Sequence, residues 1–128
     1  MIVNKCSLKK PVACHENDSI IEVSKMLRDN KIRNIVIVND KNEPTGVISS
    51  IDIVNNIIAE GRNYRMLNAK EVMNSPALYV FDGDQVEDAY FFMLRKNTYS
   101  CPVVDNNKKF KGVLSFTEAI KHLTKKVN

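Results

Sequence analysis

The chain has 128 residues, is 44% hydrophobic and 27% charged, and carries a net charge of +4. That is an ordinary globular composition, enough for one domain or for two small lobes sharing a core. No apolar run approaches the roughly 20 residues needed to span a bilayer, and the charge is too mild and scattered for a nucleic-acid groove.

The amino terminus, Met1-Ile2-Val3-Asn4-Lys5-Cys6, has no long apolar segment, so no signal peptide is visible and a cytoplasmic location is expected. Val12 to His15 is short and partly β-branched and reads as a strand. Ser19 and Glu22 match a capping box, and Ile20, Val23, Met26 and Leu27 give the helix that follows an apolar face. Asn34 to Asn39 reads as a buried strand, Asp40 to Pro44 as a turn, and Thr45 to Ser49 as a second strand. A helix from about Ile51 to Glu60 is expected to end at Gly61, with Arg62 to Asn68 as a linker. Ala69 to Met73 reads as a short helical turn. Beyond it come a strand near Leu78 to Phe81, a helix over Val86 to Lys96, strands at Ser100 to Val104 and Gly112 to Ser115, and a helix from about Thr117 to Lys126.

The second half repeats the first. A shift of 66 residues carries Gly46 onto Gly112 and aligns both flanks without a gap. Ile35-Val36-Ile37-Val38-Asn39 falls on Cys101-Pro102-Val103-Val104-Asp105, Gly46-Val47-Ile48-Ser49 on Gly112-Val113-Leu114-Ser115, and Asp52 on Glu118. The expected boundaries are residues 1–62 for repeat one, 63–68 for the linker and 69–128 for repeat two. One such unit buries too little surface to be secure alone, so two copies are expected to pack sheet to sheet around a pseudo-two-fold axis. The fold class is therefore α/β (α+β), built from two pseudo-symmetric β-α-β-β-α repeats.

Each repeat brings a strand straight into a helix start, where several backbone N–H groups lack intrahelical partners. In repeat one, Ser49 and Asp52 stand at that corner; Asp52 offers acceptor oxygens that suit vicinal hydroxyls or, equally, an ordinary helix cap. Arg33 suits a phosphate or an ion pair with Asp29 or Asp52, and Lys31, Arg62 and Arg65 are further cationic candidates.

Other constellations fall away. The three cysteines, Cys6, Cys14 and Cys101, are widely spaced without a CxxC pair and read as reduced, buried or incidental thiols. His15 and His122 read as structural or exposed histidines with no acidic or cysteine neighbour at metal-ligand spacing, so no metal site is expected. No nucleophile elbow, Walker loop or dinucleotide fingerprint is present, and no catalytic residue is assigned. Tyr90, Phe91, Phe92, Met93 and Leu94 surround most of one helix, which points to a core plus a subunit interface.

On the strength of the paired strings Gly46-Val47-Ile48-Ser49-Ser50-Ile51-Asp52 and Gly112-Val113-Leu114-Ser115-Phe116-Thr117-Glu118, with Cys101-Pro102-Val103-Val104-Asp105 and Val72-Met73, the chain resembles the CBS (cystathionine β-synthase) domain family. Over about residues 5 to 127 it looks like one CBS pair, or Bateman module, with nothing appended. The resemblance implies a non-enzymatic regulatory module that needs no cofactor and binds an adenosine compound, AMP, ADP, ATP or S-adenosylmethionine, between the repeats. It implies a main site of Arg33, Val47, Ile48, Ser49 and Asp52, with Tyr79, Val80, Tyr99 and Ser100 from the other repeat. Asp52 would hold the ribose hydroxyls, Ser49 the ribose or phosphate, Arg33 the phosphate, and Tyr79 and Val80 the adenine. A second site would use Ala13, Cys14, Asn34, Val113, Ser115 and Glu118. It is expected to be degraded or empty, because Glu118 is one methylene longer than the family's aspartate and Tyr99 stands where Arg33 stands in repeat one. The expected partners are a second copy of the chain and a separate regulated protein. The rival reading is a dimerisation scaffold whose cleft has lost its ligand; a nucleic-acid-binding protein would instead show steep salt dependence.

Overall fold

In the computed structural model, which describes residues 1–127 and side chains as far as Thr124, repeat one forms a three-stranded sheet of β1 (Ala13–His15), β2 (Asn34–Val38) and β3 (Pro44–Ser49). β1 runs parallel to β2, and α1 (Ile20–Asn30) makes the crossover that a parallel pair requires. β2 then turns back antiparallel into β3 through the polar stretch Asn39–Glu43. α1 begins at Ser19, whose Oγ accepts from the Glu22 N–H at 3.1 Å, and it buries Ile20, Val23 and Leu27. Of the expected capping box only this half forms: Glu22 turns outward toward Lys25, 3.9 Å away, on the exposed face. The helix stops at Lys31, whose φ of 54° breaks the helical path.

Repeat two follows the same plan with β4 (Val80–Phe81), α4 (Val86–Lys96), β5 (Ser100–Val104), β6 (Phe110–Ser115) and α5 (Phe116–Val127). The 66-residue shift survives down to irregularities. The break in ladder register at Ile37/Val38 recurs at Val103/Val104, and the left-handed residues Lys31 and Asn42 recur as Asn97 and Lys108. The mixed α/β class with two three-stranded sheets is thus as expected.

The helix after β3 differs from the expected one. Ser50–Ile53 forms one α-helical turn (α2), and Val54–Ile58 continues as a π-helical turn, its bonds reaching a residue further to close Ala59 N–H onto the Val54 carbonyl at 2.8 Å. The widened turn leaves Ile57 in the core at 1% exposure while Val54 and Ile58 face outward. Gly61, at φ 67°, ends it as expected. The first strand of repeat two is also shorter than the expected Leu78–Phe81, because only Val80 and Phe81 pair with β5.

The chain divides into two compact units, Val12–Ala77 and Met1–Pro11 with Leu78–Asn128. These are drawn differently from the sequence segments 1–62 and 69–128, because each lead-in segment joins the other repeat's sheet. α3 (Ala69–Val72) leads into Asn74, which exchanges backbone hydrogen bonds with Val47 of β3 at 3.0 and 2.9 Å. Lys9 does the same with Val113 of β6, at 2.8 and 3.0 Å. Both crossings pass over a glycine: a Cβ on Gly46 would lie 2.4 Å from Met73 Sδ, and one on Gly112 would lie 2.8 Å from the Lys9 carbonyl oxygen.

Each unit has its own core. One is built from Cys14, Ile20, Val23, Leu27, Ile35, Ile37, Ile48, Ile57 and Ala69. The other is built from Val3, Cys6, Val80, Val86, Ala89, Met93, Cys101, Val103, Leu114 and Ala119. α4 has a core face and an outward apolar face. Met93 is fully buried and Tyr90 stacks on Phe116 with centroids 5.3 Å apart, but Phe91 and Leu94 are about half exposed, at 53% and 49%.

Candidate functional site

The Val12–Ala77 unit gathers the main-site residues of repeat one at the end of β3. Asn34 pairs with Ser49 across the β2–β3 ladder, and the Arg33 carbonyl accepts from the Ser50 N–H at 2.9 Å, so the strand end and the helix start are tied together. Ser49 caps α2. Its Oγ accepts from the Asp52 N–H at 3.1 Å and Asp52 Oδ2 accepts from the Ser49 N–H at 3.2 Å, a complete capping box. Asp52 Oδ2 also accepts from Asn74 Nδ2 at 2.8 Å. Both bonds that the carboxylate accepts fall on Oδ2. The half-buried carboxylate is therefore aimed and fixed, while Oδ1 has no hydrogen bond among the described residues.

Arg33 is exposed, and neither expected ion pair forms. Asp29 is held by Arg28 Nε at 2.7 Å, and Asp52 is held by Ser49 and Asn74. Val47 is half-buried and Ile48 fully buried on opposite faces of β3, as strand alternation requires. Of the second expected site, Ala13, Cys14 and Asn34 belong to this unit. Cys14 is buried in β1, and desolvation, then Asp18 and Glu22, push its thiol pKa up to about 11.

In the other unit, Val80 is buried in β4, and Tyr79 just before it meets Phe81 edge-on at 5.7 Å. Tyr99 is 79% exposed and lies edge-on to Phe116 at 6.1 Å, while Ser100 opens β5 opposite Ser115 of β6. Val113 is bonded to Lys9 as described above.

Ser115 caps α5 through Oγ, which accepts from the Glu118 N–H at 3.1 Å, but the reciprocal bond that Asp52 makes in repeat one is absent among the described residues. The longer Glu118 side chain reaches elsewhere: Oε2 accepts from the Ser7 N–H at 2.8 Å and lies 2.6 Å from His122 Nε2. The Ser7 bond, then His122, holds its carboxyl below the usual glutamate range. Residue for residue, the cap that presents Asp52 has turned inward at Glu118.

Each histidine has an acidic neighbour: His15 is a satisfied structural histidine as expected, whereas His122 corrects the sequence reading. His15 Nε2 lies 2.6 Å from Asp40 Oδ1 and its Nδ1 accepts from the Asn17 N–H at 3.0 Å, so the ring is fully used in a turn. His122 stands one helical turn after Glu118, a spacing legible in the sequence. Its Nδ1 is buried and has no hydrogen-bond partner.

The CBS domain profile matches residues 3–59 and again 69–125. The chain belongs to the CBS domain family. Among relatives, this CBS pair is 29% identical over 103 residues to the protein MK0525 of Methanopyrus kandleri, a match covering 80% of this chain and 53% of that protein. The chain thus spans about half the length of that curated relative, and 31% of the next, MJ1404 of Methanocaldococcus jannaschii. Among solved structures it is similar to the CBS domain pair of protein MJ0100 in complex with 5′-methylthioadenosine and S-adenosyl-L-methionine. The two share 25% identity over 100% of this chain and 98% of that one, with a TM-score of 0.77. CBSX2 in complex with AMP has the same fold, with a TM-score of 0.78, 18% identity, and 99% and 98% coverage. No helix among the described residues is long and apolar enough to cross a membrane.

Proposed function

We propose that this CBS pair is a non-enzymatic regulatory module whose Asp52 binds the ribose of an adenosine-type ligand and which signals to a separate protein. The observation that carries this reading is the geometry of Asp52. Two donors on Oδ2 orient the carboxylate, and Oδ1 is left to accept a charge-assisted hydrogen bond from a hydroxyl. Ser49 stands beside it on the cap, and the Arg33 guanidinium, rooted at the same strand end, makes no ion pair among the described residues and is available to a phosphate or carboxylate. The adenosine compounds named with the MJ0100 pair support this ligand class. A ligand that prefers one arrangement of the module would shift its population and so alter what a partner meets.

Calorimetric titration with AMP, ADP, ATP and S-adenosylmethionine tests this. Saturable binding that is lost in Asp52→Ala is expected; silence from all four ligands would overturn it. The second reading, a dimerisation scaffold with a spent ligand site, is favoured by Glu118, whose Oε2 is already taken by Ser7 and His122.

A further inference from the structure

Cys6, Glu118 and His122 converge inside a single compact unit. Their ligand atoms all lie within 4.8 Å of one another. Glu118 and His122 lie one turn apart on α5, and Cys6 arrives from the lead-in segment, 112 positions earlier than Glu118 in the chain. The crossing is what delivers it. The backbone pairing of Lys9 with Val113, and the bond from the Ser7 N–H to Glu118, hold the lead-in against β6 and α5.

An ordinary reading would make Cys6 a core thiol and Glu118–His122 a helix-surface pair. Two features depart from it. The histidine and glutamate side chains are only 13% and 14% exposed, unlike a solvated surface pair. His122 Nδ1 is fully buried without a partner, and buried polar atoms are as a rule satisfied. Glu118 likewise keeps Oε1 without a hydrogen bond among the described residues, since both of its bonds fall on Oε2.

We propose that Cys6, Glu118 and His122 form a zinc-class divalent cation site of three protein ligands. The donor set of one thiolate sulfur, one imidazole nitrogen and one carboxylate oxygen suits zinc, and three protein ligands leave a fourth tetrahedral position free. Zinc–ligand distances of about 2.0–2.3 Å place ligand atoms roughly 3.3–3.5 Å apart, so rotamer shifts on the order of 1 Å close the site. On binding, the Cys6 sulfur bonds to the cation and its proton leaves to solvent. The cation then staples the lead-in to α5 and stabilises the unit by mass action.

The test is cobalt(II) substitution in the full chain after chelator treatment and dialysis. One cobalt per chain is expected, with a sulfur-to-cobalt charge-transfer band that zinc displaces, together with a rise in melting temperature on adding zinc. Cys6→Ala should abolish the band and Cys14→Ala should keep it. His122→Gln, which leaves the core cysteine untouched, should weaken zinc binding by at least about 10–100-fold, the scale seen when even an outer partner of a ligand is lost. No metal uptake, a band that survives Cys6→Ala, or unchanged affinity in His122→Gln would each overturn the site. None of these readouts depends on nucleotide binding, so the site stands or falls separately from the proposed function.

Discussion

Asn74 Nδ2 donates to Asp52 Oδ2 at 2.8 Å, so the carboxylate at the start of α2 is aimed by a residue of the following lead-in. Fixing a carboxylate in advance lowers the ordering cost of any ligand it receives. Asp52→Ala is expected to weaken adenosine-ligand binding by about 1–3 kcal/mol, the scale of a hydrogen bond to a charged group. Asp52→Asn keeps an acceptor for the Ser49 N–H and should lose affinity with little change in melting temperature. Titration and thermal unfolding of both variants check this; full affinity in Asp52→Asn would move the ribose contact elsewhere.

The cap has a stability role of its own. Ser49→Ala removes the acceptor for the Asp52 N–H and is expected to cost about 0.5–2 kcal/mol in urea unfolding, the usual range for a lost N-cap.

The crossed lead-ins are expected to make the two glycines behave differently. Gly46→Ala drives a Cβ against the flexible Met73 side chain and should cost about 1–3 kcal/mol, the range for overpacking. Shortening the obstacle with Met73→Ala should recover part of that loss, read as a coupling energy in a double-mutant cycle. At Gly112 the obstacle is the Lys9 backbone carbonyl, which no side-chain change removes, so Gly112→Ala should have no such rescue. Equal rescue at both positions would contradict the crossing.

Cys14 and Cys101 should resist alkylation in the folded protein. Burial pushes Cys101 up to about 12 and, with nearby carboxylates, Cys14 up to about 11. The reactive thiolate is therefore scarce at neutral pH, and labelling, where it occurs, should speed up about tenfold per pH unit below those values. Mass-spectrometric mapping before and after denaturation checks this: both should label only in the unfolded chain.

A homodimer is expected in solution, formed through helix faces that leave Phe91 and Leu94 of α4 and Ile51, Val54 and Ile58 after β3 exposed. Light scattering should give twice the 14.6 kDa chain mass, and Phe91→Glu should move the protein toward monomer. A wild-type monomer at micromolar concentration would overturn the dimer.

Much of this architecture was legible in one-dimensional pattern. Ser19 before an apolar stripe, Gly61 after a helix, and two glycines 66 residues apart each report a local rule that the fold obeys. The Ser49–Asp52 cap was legible for the same reason, since all its atoms lie within four residues. The π-helical turn was not, because Ile57 enters the core only through a change of pitch that no residue type signals. The spacing of Glu118 and His122, four residues apart on one helix, is legible in the sequence. The approach of Cys6 had no sequence signal at all: it depends on long-range backbone bridges on either side of it, Ile2 with Gln85 and Lys9 with Val113.

The Lys9–Val113 bridge and its counterpart at Asn74 also bear on how the chain can be divided. Cutting within 63–68 would separate each sheet from the segment laid across it, leaving β3 and β6 both with an unpaired edge. Cuts after Pro11 and after Ala77 instead release Val12–Ala77 with its own strap attached, as one continuous piece. The other unit has no such contiguous form; its strap and its sheet lie at opposite ends of the chain and can be joined only by circular permutation. The two copies, so alike in sequence, are therefore unequal as genetic modules: one is excisable, and the other exists only by virtue of what lies between its parts.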